Sequence, residues 1–125
     1  TTNLVQVGIR SMDISERGIN DENIFFAEDM NKDNLWVNKS LDKLTDDVYI
    51  SLDVDVLDPS IMPSTGTPEP GGMLWYEIIN YLRLVFERKN VVGFDIVELS
   101  PNSTNKSPDF LCSKLYYKMI TYKFL

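Results

Sequence analysis

One stretch constrains the chain more than any other. It runs from Val48 to Gly72 and reads VYISLDVDVLDPSIMPSTGTPEPGG. Val48, Tyr49, Ile50 and Leu52 are β-branched, aromatic or apolar, and Asp46-Asp47 marks a turn before them, so the stretch opens as a buried strand. Four prolines and three glycines lie between Pro59 and Gly72. Proline removes a backbone donor and fixes φ, which excludes a helix interior or a central strand there. Three acids, Asp53, Asp55 and Asp58, fall at the junction. The expected picture is a parallel strand whose C-terminal end delivers carboxylates into a rigid loop, where open α/β sheets build their sites.

Side chains alternate along a strand, so Asp53 and Asp55 are expected on one face with Val54 between them. Two carboxylates so placed repel each other and lose solvation, and one would take up a proton. A divalent cation removes the conflict, because hard oxygen donors suit Mg²⁺, Ca²⁺ or Mn²⁺. Taken alone, a D-x-D pair is also compatible with an acidic turn of no special chemistry.

The flanking segments alternate strand and helix. Leu4–Ile9 reads as a strand, followed by Arg10, which reads as a surface or ion-pair arginine, and by the turn-rich stretch from Asp13 to Asn23. Ile24–Ala27 reads as a short strand, and Leu35–Leu44 as a modest helix with Val37, Leu41 and Leu44 on one side. Trp36 reads as a core residue. Met73–Arg88 is the clearest helix, with Leu74, Ile78, Leu82 and Val85 on its apolar face. Val91–Leu99 is a further strand that turns acidic at Asp95 and Glu98. Pro108–Leu125 closes as an amphipathic helix burying Phe110, Leu111, Leu115, Met119 and Tyr122, with Tyr116 beside them. Such alternation implies an α/β fold, a parallel sheet with helices on both faces.

Length allows one domain. The net charge of −7 argues against a nucleic-acid backbone and suits a cationic substrate. No apolar run approaches the roughly 20 residues that span a bilayer, and no leader pattern opens the chain. The single Cys112 cannot form an internal disulfide, which makes a reducing cytoplasm the expected setting. The chain holds no histidine, so the commonest general base and transition-metal ligand is missing.

The run S-L-D-V-D-V-L-D-P, then T-G-T-P and Gly71-Gly72, resembles the metal-binding signature of the ureohydrolases, the arginase and agmatinase family. Ser51, Asp53, Asp55, Asp58, Pro59, Thr65, Gly66, Thr67, Pro68, Gly71 and Gly72 carry the match, and T-P-E-P-G-G is closer in wording to agmatinases. Gly8-Ile9-Arg10-Ser11 also resembles a family segment. The resemblance implies an arginase-like three-layer α/β/α fold, of which residues 1–125 would be the C-terminal part of a single domain. It implies Asp53 and Asp55 as ligands of a dinuclear manganese centre. Glu98, in Asp95-Ile96-Val97-Glu98-Leu99-Ser100-Pro101, would pair with a guanidinium through two parallel charge-assisted hydrogen bonds. Asp95 has the opposite strand parity to Glu98 and is expected either to be structural or to support a site residue from behind. Thr65 and Thr67 serve either turn hydrogen bonds or the surroundings of the metals. Trimers or hexamers are implied as well.

The family's upstream G-G-D-H and D-A-H-x-D segments, with the histidines that complete two coordination shells, are not in this sequence. Two-metal hydrolysis needs both ions held. The expectation is therefore part of a cytoplasmic, manganese-dependent enzyme of polyamine biosynthesis that hydrolyses a guanidino compound, agmatine to urea and putrescine foremost, with the 125-residue chain inactive alone. Thr1, not a methionine, points toward truncation. Two alternatives are a degenerate, non-catalytic relative and a haloacid-dehalogenase-type phosphatase. The phosphatase would use Asp53 as nucleophile, Asp55 as general acid, and Lys89 and Asp95 in support. It leaves T-G-T-P-E-P-G-G unexplained.

Overall fold

The strand expected at Val48 forms as β3, Asp47–Asp53, and pairs in parallel with β4, Asn90–Val97. The computed structural model describes residues 3–16, 18 and 21–125. In the β3–β4 register Val48 faces Val91, Ile50 faces Phe94 and Leu52 faces Ile96. Side chains alternate, and the irregularity between Val91 and Gly93 restores the phase of β4 to that of β3, so these six share one side of the pair. That side packs on α3, Trp75–Arg88, and α4, Ser107–Phe124, around Ile78, Leu82, Leu115 and Met119.

The opposite side of the pair is open. Tyr49 is 60% exposed there, its ring lies over Gly93, and Asp95 accepts hydrogen bonds from the Tyr49 hydroxyl at 2.8 Å and the Ser51 hydroxyl at 2.7 Å. Among the described residues, then, helices cover one face of β3–β4 rather than both. Asp95 is thus tied to its neighbours on β3 on the open side of the pair.

A second parallel pair joins β1, Gln6–Ile9, to β2, Ile24–Phe26. Two 3-10 turns, Ile14–Glu16 and Asp21–Asn23, lie between them, and Arg17, Ile19 and Asn20 of the expected turn region fall outside the described residues. Ala27 leaves the strand and opens the single-turn helix α1, Ala27–Met30. Next comes α2, Leu35–Lys43, which leans on α3. Trp36 stacks on Tyr81 with ring centroids 4.9 Å apart, and the Tyr81 hydroxyl donates to buried Ser40 at 3.0 Å.

Two faces read from helical spacing need correction. Leu74 is not in α3 but precedes it, exposed, with its N–H donating to the Glu77 carboxylate at 2.6 Å. Spending that position on a cap leaves Ile78, Ile79, Leu82 and Val85 as the buried stripe. In α4, Leu115 and Met119 are buried as expected, but Phe110 is 70% exposed and Tyr116 is exposed too, while Pro108 and Cys112 join the buried side. Large apolar residues surround α4, so periodicity alone could not fix which side faces inward.

Leu115→Ala should cost about 2–5 kcal/mol by leaving a cavity between α3 and α4. Phe110→Ala should stay within about 0.5 kcal/mol. Urea denaturation midpoints of the two variants check the assignment, and a reversed order would show that α4 packs in another phase.

Candidate metal centre

At Asp53 the strand ends and the chain coils into a 3-10 turn, Val54–Val56. Asp53 caps that turn: its Oδ1 accepts the Asp55 N–H at 3.0 Å. Asp55 is therefore not extended, and strand alternation is not what relates the two acids. A turn brings them together instead. Burial raises the Asp53 carboxyl above its ordinary value of 3.8, the Asp55 N–H works against that, and the charges of Asp55 and Glu98 push it up again. The Arg10 charge lowers it, the smallest of these effects. Asp53, Asp55 and Glu98 thus form one electrostatic neighbourhood.

Arg10 anchors the turn from outside. Its guanidinium donates to the carbonyls of Asp55, of Val56 at 3.2 Å and of Gly8 at 3.4 Å. It forms no salt bridge among the described residues, so the ion-pair reading gives way to a clamp on main-chain carbonyls. Gly8, at φ +83°, is where β1 meets the turn, and a Cβ there would lie 2.5 Å from Val56 Cγ2. Next in sequence, the Ser11 hydroxyl donates to both oxygens of Glu69, at 2.8 and 2.9 Å. Sequence reasoning missed both contacts. They link positions more than 40 residues apart, which local pattern does not report.

The loop after the turn is held by its own backbone. Asp58 accepts the N–H groups of Ser60 at 3.0 Å and Gly71 at 3.1 Å, and hydrogen bonding to Ser60 foremost lowers its carboxyl below the ordinary range. Asp58 N–H donates to Met73 O at 3.0 Å, and Met73 N–H to Val56 O at 2.9 Å. Gly72 is pressed so close that a Cβ would sit 2.4 Å from the Leu57 carbonyl carbon, which only glycine tolerates. Thr67 Oγ1 lies 3.4 Å from Asp55 Oδ2, in the acid cluster. The Thr65 hydroxyl is buried and has no partner among the described residues.

Glu98 follows β4 with φ +69°, left-handed backbone that a side chain with a Cβ seldom adopts. The segment beyond it is pinned by Ser100 N–H donating to Ser64 O at 2.9 Å. Non-glycine residues in this region cluster at functional sites, where the surroundings hold them despite the strain.

The donor set is hard carboxylate oxygen, suited to Mn²⁺ or Mg²⁺. Asp53 and Asp55 supply oxygens of that kind, yet the described residues contain no group of three or more His, Cys, Asp or Glu arranged to hold a metal. Two carboxylates make part of a coordination shell.

A family model described as Arginase family matches residues 1–121. The chain is 34% identical over 130 residues to the N(1)-aminopropylagmatine ureohydrolase of Synechocystis, covering 95% of this chain and 42% of that protein. It is 48% identical over 105 residues to an N(1)-aminopropylagmatine ureohydrolase of Thermus thermophilus, covering 79% and 35%. Proclavaminate amidino hydrolase from Streptomyces clavuligerus superposes with a TM-score of 0.82 at 30% identity, covering 95% and 42%. The chain thus spans less than half of these relatives' own lengths.

With its native carboxyl raised above 3.8, Asp53 keeps a proton that the unfolded chain releases. Its contribution to stability is full below pH 3.8 and is lost as pH rises through the native value. Asp53→Asn should therefore flatten the stability profile of the metal-free chain above pH 3.8, and an unchanged profile would refute the crowding. Glu98→Gly should relieve left-handed strain and stabilise by roughly 0.5–1 kcal/mol, measured by denaturant titration.

Proposed function

The chain belongs to the arginase family, and from that premise we propose that it forms the C-terminal part of a manganese-dependent ureohydrolase domain acting on an alkylguanidine of the agmatine type. The observation that carries the reading is the placement of Asp53 and Asp55 at the C-terminal end of β3, level with the end of β4, which Glu98 directly follows. The substrate class rests on the relatives' names, which refer to an agmatine bearing an aminopropyl group. Plain agmatine, giving urea and putrescine, shares the same guanidinium. The family assignment leaves no support for the phosphatase alternative.

The reaction adds water across a carbon–nitrogen bond. Oxygen goes to the guanidinium carbon, and the alkyl nitrogen leaves as an amine that takes up a proton. Asp53 and Asp55 would hold divalent cations, which supply Lewis acidity and make a water nucleophilic near neutral pH. Asp53 gains most from a nearby cation, because burial and two neighbouring carboxylates already crowd it. Glu98 would accept two hydrogen bonds from the planar guanidinium and fix its orientation. Arg10, through the Asp55 and Val56 carbonyls, keeps the acid-bearing turn in place. The remaining ligands would come from the portion of the domain outside this chain, in an assembly of trimers or hexamers. A non-catalytic relative is the second reading.

The test is a chimera in which this chain replaces the matching segment of the Thermus thermophilus ureohydrolase. Urea release from agmatine or N(1)-aminopropylagmatine should require Mn²⁺ and be lost in Asp53→Asn and Asp55→Asn. Glu98→Gln should lower kcat/KM by roughly 10- to 100-fold, the loss of one charged hydrogen-bond pair. The 125-residue chain alone should release none. A folded chimera that binds Mn²⁺ yet yields no urea would favour the non-catalytic reading.

A further inference from the structure

A cavity of about 660 Å³ opens beside the acid-bearing turn, within the usual size range of small-molecule pockets. Its walls come from the chain leaving β1, from the end of β2 and the start of α1, and from the T-P-E-P-G-G loop. Ile9, Met12, Phe26, Ala27 and Pro70 make the apolar part. Such walls suit methylenes, and the few charged groups among them decide what else can enter.

Those groups are Arg10, Glu28, Asp29 and Glu69. Arg10 is already engaged, because its guanidinium donates to the carbonyls of Gly8, Asp55 and Val56. Asp29 pairs with Lys32 at 2.6 Å. Glu69 is different. It is half-buried, and the Ser11 hydroxyl lies 2.8 and 2.9 Å from its two oxygens. A hydroxyl has one proton to give, so most of the acceptor capacity of this carboxylate stays unfilled. Among the described residues no cation lies within ion-pair distance of Glu69 or Glu28. A partly desolvated carboxylate held in place without a counter-ion favours a cation that brings N–H donors of its own.

The cavity adjoins the candidate metal centre. Thr67 Oγ1 lies 3.4 Å from Asp55 Oδ2, and Glu69 follows two residues on. Two residues of chain reach at most about 7 Å. From the other side, Arg10 lines the cavity and bonds to the Asp55 carbonyl.

We infer that this cavity is a subsite for an alkylammonium group, with Glu69 as its anchor and Ser11 as the residue that positions the carboxylate. The inference rests on the alkylguanidine reading above and deepens it. With the guanidinium at Glu98, an ammonium-bearing arm runs along Ile9, Met12 and Phe26 to Glu69. Glu69 then sets specificity: it attracts an arm that ends in an ammonium group, gives nothing to one that ends in a methyl, and repels one that ends in a carboxylate.

The experiment is an amide NMR titration of the metal-free chain with n-butylamine, an ammonium ion at pH 7, and with n-butanol as the uncharged match, in about 0.15 M salt to screen non-specific attraction. Butylamine should give saturable shifts at Ile9, Met12, Glu28, Glu69 and Gly71, and butanol should not. Glu69→Gln should weaken butylamine binding by roughly tenfold, the loss of one charge-assisted hydrogen bond. Glu87→Gln removes the same charge from the exposed surface of α3 and should change binding less than about twofold. Ser11→Ala should fall between the two. Shifts that do not saturate, or that centre elsewhere, would overturn the proposal. So would equal binding of butanol, or equal effects of Glu69→Gln and Glu87→Gln. The titration uses no guanidinium, metal or turnover, so its result is separate from the presence or absence of urea release.

Discussion

The parallel ladder between β3 and β4 is the constraint from which the rest follows. It is in register along the whole of β3, from Asp47 opposite Asn90 to Asp53 opposite Val97, apart from one irregularity after Val48. Register decides which residues meet on the helix side, and a slip of one place would send Ile50 and Leu52 to water. It also brings the two strand ends level. Asp53 and the residue beyond Val97 then emerge at the same height, which is why Glu98 is felt by Asp53 at all.

Stability is given up at that end in two identifiable places. Asp53 carries a charge that burial and its neighbours oppose, and Glu98 sits in a backbone region that L-residues avoid. Around them the chain is tightly fixed: Gly8 against Val56, Gly72 against the Leu57 carbonyl, Arg10 across three carbonyls. A rigid frame around a frustrated centre is the usual sign of a site that something else completes.

Much of the fold was legible in sequence, and the exceptions have physical causes. β3, β4 and α3 announce themselves through apolar periodicity and proline-rich punctuation, and they form within a few residues of the expected limits. The acidic end of β3 was legible as a candidate site, but its geometry was not. Alternation assumes an extended backbone, whereas Asp53 captures the Asp55 amide and starts a turn. Leu74 escaped because capping outweighed its place in the apolar pattern. Arg10 escaped because its partners are carbonyls some 45 positions away, and no residue type signals a carbonyl.

α4 has a consequence of its own. Phe110, Tyr117 and Phe124, spaced by seven, point outward while Cys112, Leu115 and Met119 point inward, so large apolar side chains occur on both sides of one cylinder. Partition between oil and water then gives little torque about the helix axis. The orientation is set by shape, by how narrow Cys112 and flexible Met119 fill the gaps that α3 leaves. Evolution can therefore redecorate the outer rings freely, while the inner three positions admit few replacements of equal volume.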